Sequence, residues 1–297
     1  MNAIRRIVGK EVFFAWLLLL PATIMLVSIR FWPMIQGIGL SFTNRRLLND
    51  RPLRFVGMQN YVTLLHDNEF WSVFGFTLTY TLGTVLASYM LGLVIALLMN
   101  MKIKSRGTFR MILMIPWVIP SVVAAYIWRY SLHDQIGIVN IILQTLNLSS
   151  APIGFLATPR LARLMVIVVT AWRNYPFMGL VLLAGLANVS EDTKEAARID
   201  GANAIQVFRY VTWPQLKSIT IMCTTLMFIW TFNNFDNIFL LTGGGPNFTT
   251  HVLSIQAYYA AFQKMTMGYA TTMATVMLAF MMIVTMLYIK FLKGIED

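Results

Sequence analysis

The sequence predicts an all-α integral membrane protein whose six transmembrane helices leave both chain termini in the cytoplasm. Of its 297 residues, 58% are hydrophobic and only 12% are charged, which is about half the charged fraction of an ordinary soluble domain. The apolar residues form long runs, and most Lys and Arg residues lie between those runs. Despite a formal net charge of +11, this distribution is typical of membrane topology and not of a nucleic-acid-binding face.

Six apolar runs are long enough, or nearly so, to cross a bilayer. A spanning helix needs about 20 mainly apolar residues, whereas a barrel strand would alternate over about ten. Pro116 and Pro120 interrupt the third run. The predicted helices cover residues 12–32, 72–99, 109–130, 162–187, 217–241 and 267–291. We interpret residues 1–297 as a single transmembrane domain.

Basic residues predict the orientation of these helices. Thirteen of the 23 Lys and Arg residues lie on the side of the termini, and such an excess marks the cytoplasmic side. The thirteen are Arg5, Arg6, Lys10, Lys102, Lys104, Arg106, Arg110, Lys194, Arg198, Arg209, Lys217, Lys290 and Lys293. The first outer loop is an exception, and its cations indicate either docking of another protein or an acidic saccharide substrate. These cations are Arg45, Arg46, Arg51 and Arg54.

Residues 188–216 form a polar segment between the fourth and fifth apolar runs. Ser190 is a suitable helix N-cap, and Gly201 interrupts the helix that follows. Asn203, with Gln206 three residues later, can cap a second short helix. The pattern predicts a helix–glycine–helix elbow on the cytoplasmic surface. From the pattern alone, an amphipathic connector that fills headgroup space is an equally good interpretation.

The same segment contains Glu195-Ala196-Ala197, then three residues, Gly201, nine residues and Val211-x-Trp213-Pro214. It resembles the E-A-A loop of ABC importer permeases, whose pattern is E-A-A, three residues, G, nine residues, I-x-L-P. Trp in place of Leu is the main departure. The resemblance implies that the elbow is the coupling helix that docks on an ATPase subunit. The implied coupling residues are Glu195, Ala196, Ala197, Asp200, Gly201 and Pro214.

Four further blocks occur in the order found in the carbohydrate branch of that family, namely FVGMQNYVTLL (55–65), IPWVIPS (115–121), AWRNYPFMG (171–179) and FNNFDNIFLLTGGGP (232–246). The chain therefore resembles maltose- and glycerol-phosphate-type permeases. The resemblance implies the type I ABC importer permease fold, a bacterial inner-membrane location and transport of a sugar, oligosaccharide or sugar derivative. It also implies four kinds of partner: membrane lipid, a second and different permease, two ATPase subunits that bind ATP and Mg, and an extracytoplasmic solute-binding protein.

In that family the third, fourth and fifth helices line the sugar cavity. By position, the maltose-type contacts fall on Trp117, Ser121, Gly185, Thr231 and Asn234. Interhelical hydrogen bonding is the alternative role for the polar members. Arg173 and Asp236 are added because an ionisable residue inside a membrane helix is a functional candidate. We expect Arg173 to pair with Asp236 or with a nearby carbonyl. The alternative is that water in the cavity solvates its guanidinium.

Other chemistries find little support in the sequence. No G-x-x-x-x-G-K-[ST] motif occurs, so ATP is expected on partner subunits and no cofactor is expected on this chain. His66, His133 and His251 are far apart, so neither a metal site nor an enzyme is predicted. A permease for a polyol phosphate or another small polar solute remains an alternative. A secondary transporter is a further one, but it would predict inverted repeats or several intramembrane acids.

Overall fold

The computed structural model describes residues 2–48, 52–101 and 106–296, with side chains described for residues 12–48, 52–101 and 107–290. Several of the basic residues used to predict the orientation fall outside this description. Arg51, Lys102 and Lys104 lie outside the described residues, as do the side chains of Arg5, Arg6, Lys10, Arg106 and Lys293.

Helices dominate the described residues, which also contain an isolated β-bridge between Thr43 and Phe55. The helices are α1 (Asn2–Leu26), α2 (Trp32–Ser41), α3 (Gln59–Leu65), α4 (Asn68–Asn100), α5 (Arg106–Val118), α6 (Ser121–Ser131), α7 (Ile138–Thr145), α8 (Pro159–Ala187), α9 (Glu191–Ile199), α10 (Ala204–Val207), α11 (Trp213–Phe232), α12 (Asp236–Thr242), α13 (Leu253–Phe262) and α14 (Met267–Glu296). The predicted all-helical class is confirmed for these residues.

Four helical stretches in the described part of the chain are long and apolar enough to cross a membrane. They are Val12–Ser41, Asn68–Asn100, Pro159–Ala187 and Met267–Lys290. The bent pair Gly107–Val118 and Ser121–Ser131 makes a fifth span if it is counted as one. The prediction of several membrane spans is confirmed, whereas the count of six stays a prediction.

Two of the predicted helices are interrupted. The range 109–130 contains α5 and α6, which meet at 90°. Pro120, with φ −52° and ψ 140°, lies at the bend; a proline lacks the N–H of the helical ladder and disfavours helical backbone at the residue before it. The range 217–241 contains α11 and α12, which are separated by residues 233–235.

Two other prolines do not interrupt their helices, because a five-residue π-helical turn precedes each Trp-Pro pair. Val27–Phe31 leads into Trp32 and Pro33, and Phe208–Thr212 leads into Trp213 and Pro214. The amide of each Trp bonds to the carbonyl five residues earlier, and the backbone stays helical at both junctions. The wider π turn accommodates a ring that would clash in an α-helix. Pro214 therefore lies inside a continuous helix from α10 to α11 and does not begin one.

The chain divides into two compact units, of which the first comprises Met1–Asp67 and Ala257–Leu278. In this unit the Asn60 side chain donates hydrogen bonds to the carbonyls of Ser41 and Thr43 at 2.8 and 2.9 Å. Thr272 Oγ1 donates to the same Ser41 carbonyl at 3.1 Å, and Tyr269 donates to Asp67 at 2.8 Å. Side-chain hydrogen bonds to the Ser41 carbonyl and to the Asp67 carboxylate thus hold the end of α2 and the end of the α3 segment against the start of α14.

The second unit comprises Asn68–Gln256 and Ala279–Asp297 and contains every candidate site residue. Its core is the pairing of α4 with α8. At Gly92 the two backbones approach so closely that an added Cβ would lie 2.6 Å from Met178 Cβ and 2.8 Å from the Gly179 nitrogen. Small residues permit this contact between membrane helices, where dispersion contacts drive association.

We expect Gly92→Ala to lower the melting temperature of the protein, because the methyl group must push α4 away from α8. Overpacking of this kind costs about 1–3 kcal/mol. Gly75→Ala on the same helix is the matched control, since nothing lies within 4 Å of its added Cβ. Thermal unfolding of both variants in the same detergent checks the prediction, and equal melting temperatures for the two would contradict it.

Candidate functional site

The polar segment at 188–216 folds as two capped helices. Ser190 Oγ accepts a hydrogen bond from the Thr193 amide at 3.4 Å at the start of α9. Asn203 Oδ1 accepts from the Gln206 amide at 2.9 Å, and Gln206 Oε1 accepts from the Asn203 amide at 2.8 Å. This reciprocal capping box at the start of α10 confirms the capping predicted for Asn203.

Gly201 lies at the turn between these helices with φ +86°, in the left-handed region that L side chains seldom adopt. The space around it is open, with no atom within 4 Å of a Cβ built there. Glu195, Ala196 and Asp200 are exposed near the same turn. The backbone conformation, and not crowding from the described residues, therefore favours glycine at this position.

Large apolar side chains point outward from this elbow. Ile199 is 86% exposed, Ile205 is 77% exposed and Tyr210 is 70% exposed, whereas Val207 on the same segment is 6% exposed. Val207 anchors the elbow, while the other three leave large apolar side chains exposed on a polar segment. Exposed apolar surface of this kind is typical of a surface that contacts another molecule.

Aromatic side chains from three helices form a continuous group beside the predicted path. Trp117 of α5 stacks on Phe177 of α8 with ring centroids 6.3 Å apart, and Phe177 contacts Trp230 of α11 at 5.1 Å. Trp117 and Trp230 each keep almost half of their surface exposed. Sequence reasoning found Trp117 but missed Phe177 and Trp230, although both adjoin predicted features, Pro176 and Thr231.

The polar path candidates lie at the breaks between helices. Thr231, near the end of α11, is 1% exposed, and its hydroxyl has no hydrogen-bond partner. Asn234 lies in the gap before α12, where its Oδ1 accepts a hydrogen bond from the Asn237 amide at 3.2 Å. Half-buried Ser121 begins α6, which packs against α12. The break at residues 233–235 therefore places the half-buried amide of Asn234 between α11 and α12.

Gly185 has different surroundings. A Cβ built on it would lie 2.9 Å from both Leu216 Cδ2 and Ile219 Cγ2. These are side chains of α11, so Gly185 provides close packing between α8 and α11. Its predicted contact with substrate stays a prediction, but its surroundings in this conformation are those of a helix–helix contact.

Arg173 is half-buried in α8, and its Nε is buried without a hydrogen-bond partner. Asp236, exposed at the start of α12, is near enough for an electrostatic interaction with it. The described side chains form neither a hydrogen bond nor an ion pair between the two. Their pairing stays a prediction, and this conformation presents a guanidinium with unused donors. Among the described residues no group of three or more His, Cys, Asp or Glu could hold a metal ion.

The continuous spans, the capped elbow and the polar helix breaks define a membrane-embedded transport subunit. Residues 88–294 match the family described as binding-protein-dependent transport system inner membrane component. The chain belongs to this family, which consists of the inner-membrane permeases of ABC transporters and not of enzymes.

Curated relatives agree with this assignment over most of the chain. A probable ABC transporter permease, y4oQ of Sinorhizobium fredii, is 34% identical over 90% of this chain and 85% of its own length. The trehalose/maltose transport system permease MalF of Thermococcus litoralis is 33% identical over 86% of each chain. The sulfoquinovosyl glycerol transport system permease SmoG of Agrobacterium fabrum is 32% identical over 94% of this chain and 90% of its own.

Solved structures show the same fold. A chain of a bacterial ABC transporter that imports the acidic polysaccharide alginate aligns over 100% of both chains, with a TM-score of 0.83 at 22% identity. A second structure, an alginate ABC transporter in complex with an alginate pentasaccharide-bound periplasmic protein, aligns over 94% of this chain and 93% of the other, with a TM-score of 0.79 at 23% identity. At these identities the likeness is one of fold, and it confirms the predicted importer permease fold.

Proposed function

We propose that this chain is the membrane-spanning permease of an ATP-driven importer that takes up a sugar, oligosaccharide or sugar derivative. It forms the translocation path together with a second, different permease. Two separate ATPase subunits bind ATP and Mg and dock on the elbow, and a solute-binding protein delivers the substrate from outside. Six transmembrane helices, with α11 as a full span, place both termini and the elbow in the cytoplasm.

The observation that carries this proposal is the elbow. Its E-A-A sequence, its two capped helices and the positive φ of Gly201 produce a rigid projection with exposed Ile199 and Ile205. A connector that only fills headgroup space would not need a reciprocal cap and a glycine-specific turn. The sugar class is supported by the trehalose/maltose and sulfoquinovosyl glycerol relatives and by the aromatic and amide groups beside the path.

The proposed path residues Trp117, Ser121, Arg173, Gly185, Thr231, Asn234 and Asp236 belong to the α5–α6, α8 and α11–α12 segments. Pyranose rings offer apolar faces and hydroxyl groups, which match the exposed rings of Trp117 and Trp230 and the amide of Asn234. In the elbow, the proposed coupling residues are Glu195, Ala196, Ala197, Asp200, Gly201 and Pro214.

Asn234→Ala is expected to reduce sugar uptake about two- to tenfold while basal ATP hydrolysis stays unchanged. A single neutral hydrogen bond contributes about 0.5–1.5 kcal/mol, so the effect is partial. Asn233→Ala is the matched control, because the Asn233 amide nitrogen donates to the Ile229 carbonyl of its own helix at 2.9 Å, whereas Asn234 uses only its amide oxygen among the described residues.

The measurement is uptake and ATP hydrolysis by the reconstituted transporter, supplied with its sugar-loaded binding protein. Ser121→Ala is included to probe the α6 side of the path. If Asn234→Ala and Ser121→Ala both leave the uptake kinetics unchanged, the path does not run along these helices.

A further inference from the structure

One face of α6 presents aromatic and cationic side chains to a cavity. Arg129 and Tyr130 follow Tyr126 by three and four residues, which places the three on one face of α6, and His133 comes just after the helix ends at Ser131. Together they line a cavity of about 370 Å³. A neighbouring cavity of about 310 Å³ shares Arg129 and His133 and extends to the loop after α12. Cavities of this size are at the lower end of the range for small-ligand sites.

The guanidinium of Arg129 is largely unused. Its single hydrogen bond in the described structure runs from Nη1 to the Leu240 carbonyl at 3.4 Å, which is close to the limit for such a bond. Asp134, which lines the neighbouring cavity, already contacts His133 Nδ1 at 3.1 Å and accepts a hydrogen bond from the Gln135 amide at 3.0 Å. Arg129 therefore lines the cavity as a cation that forms no ion pair with any described residue.

Arg163, by comparison, has a structural role. Its Nε donates to the Thr249 carbonyl at 2.7 Å, and its guanidinium lies 4.9 Å from the centroid of the Phe76 ring. The two arginines differ in that Arg163 makes a short hydrogen bond and a cation–π contact, whereas Arg129 makes one long hydrogen bond and lines a cavity. A planar fork of donors binds a carboxylate or sulfonate in a bidentate manner.

The flanking residues suit a saccharide that carries such a group. Tyr126 and Tyr130 are 44% and 64% exposed, so each offers a ring face to a pyranose and a hydroxyl group to its oxygens. A neutral sugar would make no use of an unpaired cation beside these rings. We propose that this face of α6 is a subsite for an acidic saccharide and that Arg129 determines specificity for its anionic group. The inference rests on the proposed function and adds the chemical class of the sugar.

The test measures binding of three monosaccharides to the full chain in lipid nanodiscs by saturation-transfer NMR. Glucose, glucuronate and sulfoquinovose share one ring and differ at C6, which carries a hydroxyl, a carboxylate or a sulfonate group. We expect at least one of the two acids to give a signal about tenfold above that of glucose, as fits a charge-assisted pair. Arg129→Gln should remove this excess. Arg129→Lys, which keeps the positive charge but lacks the planar guanidinium donors, should retain part of it.

Arg160→Gln serves as the control, because it removes an exposed cation that lines neither cavity. Equal signals for all three sugars, or an unchanged acid signal in Arg129→Gln, would overturn the inference. So would an Arg129→Gln variant that loses only its affinity for the solute-binding protein, because Arg129 would then recognise a protein carboxylate. Failure of the proposed function is a different result: the assembled transporter would then hydrolyse ATP at the same rate with and without sugar-loaded binding protein.

Discussion

Gly201→Asp is expected to abolish the ATP hydrolysis that substrate-loaded binding protein stimulates, while the protein still inserts into the membrane. Gly201 has φ +86°, and a residue with a Cβ in this region costs about 1–2 kcal/mol. The substitution also adds a charge between the exposed Ile199 and Ile205 at the proposed contact with the ATPase. Together we expect a loss of stimulated hydrolysis of at least about tenfold, which corresponds to about 1.4 kcal/mol.

Two further variants separate the causes of this loss. Gly201→Ala adds strain without charge, and Gly201→Asn adds a side chain of the same shape as Asp that tolerates positive φ. Both should retain part of the stimulated activity. Because no described atom lies within 4 Å of the added Cβ, the melting temperature of the permease should fall only by what the backbone strain costs, and Gly201→Asn should lower it less than Gly201→Ala. If Gly201→Asp shows normal stimulation of ATP hydrolysis by substrate-loaded binding protein, the elbow does not couple the permease to the ATPase.

Arg173→Asp is the second substitution with a large expected effect, and uptake should fall to background. An unpaired charge within a membrane helix costs about 2.5–3.5 kcal/mol, and the variant would place a second carboxylate near the native Asp236. The buried Nε of Arg173 has no hydrogen-bond partner among the described residues. Uptake by reconstituted transporter, normalised to the inserted protein, measures the effect.

The double variant Arg173→Asp with Asp236→Arg tests whether these two residues pair. If they pair in any state of the cycle, exchanging the charges should restore part of the lost uptake, whereas Asp236→Arg alone should be impaired. Uptake by the double variant no better than that of Arg173→Asp would show that the pair does not exist. The alternative, in which water in the cavity solvates the Arg173 guanidinium, would then remain.

Much of this architecture could be predicted from local sequence. The apolar runs identify the long helices because a bilayer imposes a minimum span, and Asn203 with Gln206 identifies the start of α10 because a capping box is a contact between near neighbours. The elbow itself follows from the fixed spacing of Glu195 and Gly201. Such features depend on a few adjacent residues and need no tertiary information.

Features that depend on contacts between helices could not be read in the same way. Pro116 lies inside α5 and Pro120 produces a 90° bend, although both interrupt the same apolar run, and Pro214 is accommodated by a π turn. The packing of Gly185 against Leu216 and the meeting of Phe177 with Trp230 are likewise set by helix pairing. The sequence alone therefore indicates which helices carry the candidate site but not which of their side chains are free.

The π turn before Trp213 has a mechanical consequence. The helical segments of 4, 5 and 20 residues from Ala204 to Phe232 join without a break, and at about 1.5 Å per residue they form a rod about 43 Å long. Tilting this rod by about 5° around its elbow end displaces the other end by about 4 Å at that length. Under the proposed function, a small stroke of the ATPase at Ile205 is thus transmitted to Thr231 by leverage, with no intervening joint to absorb it.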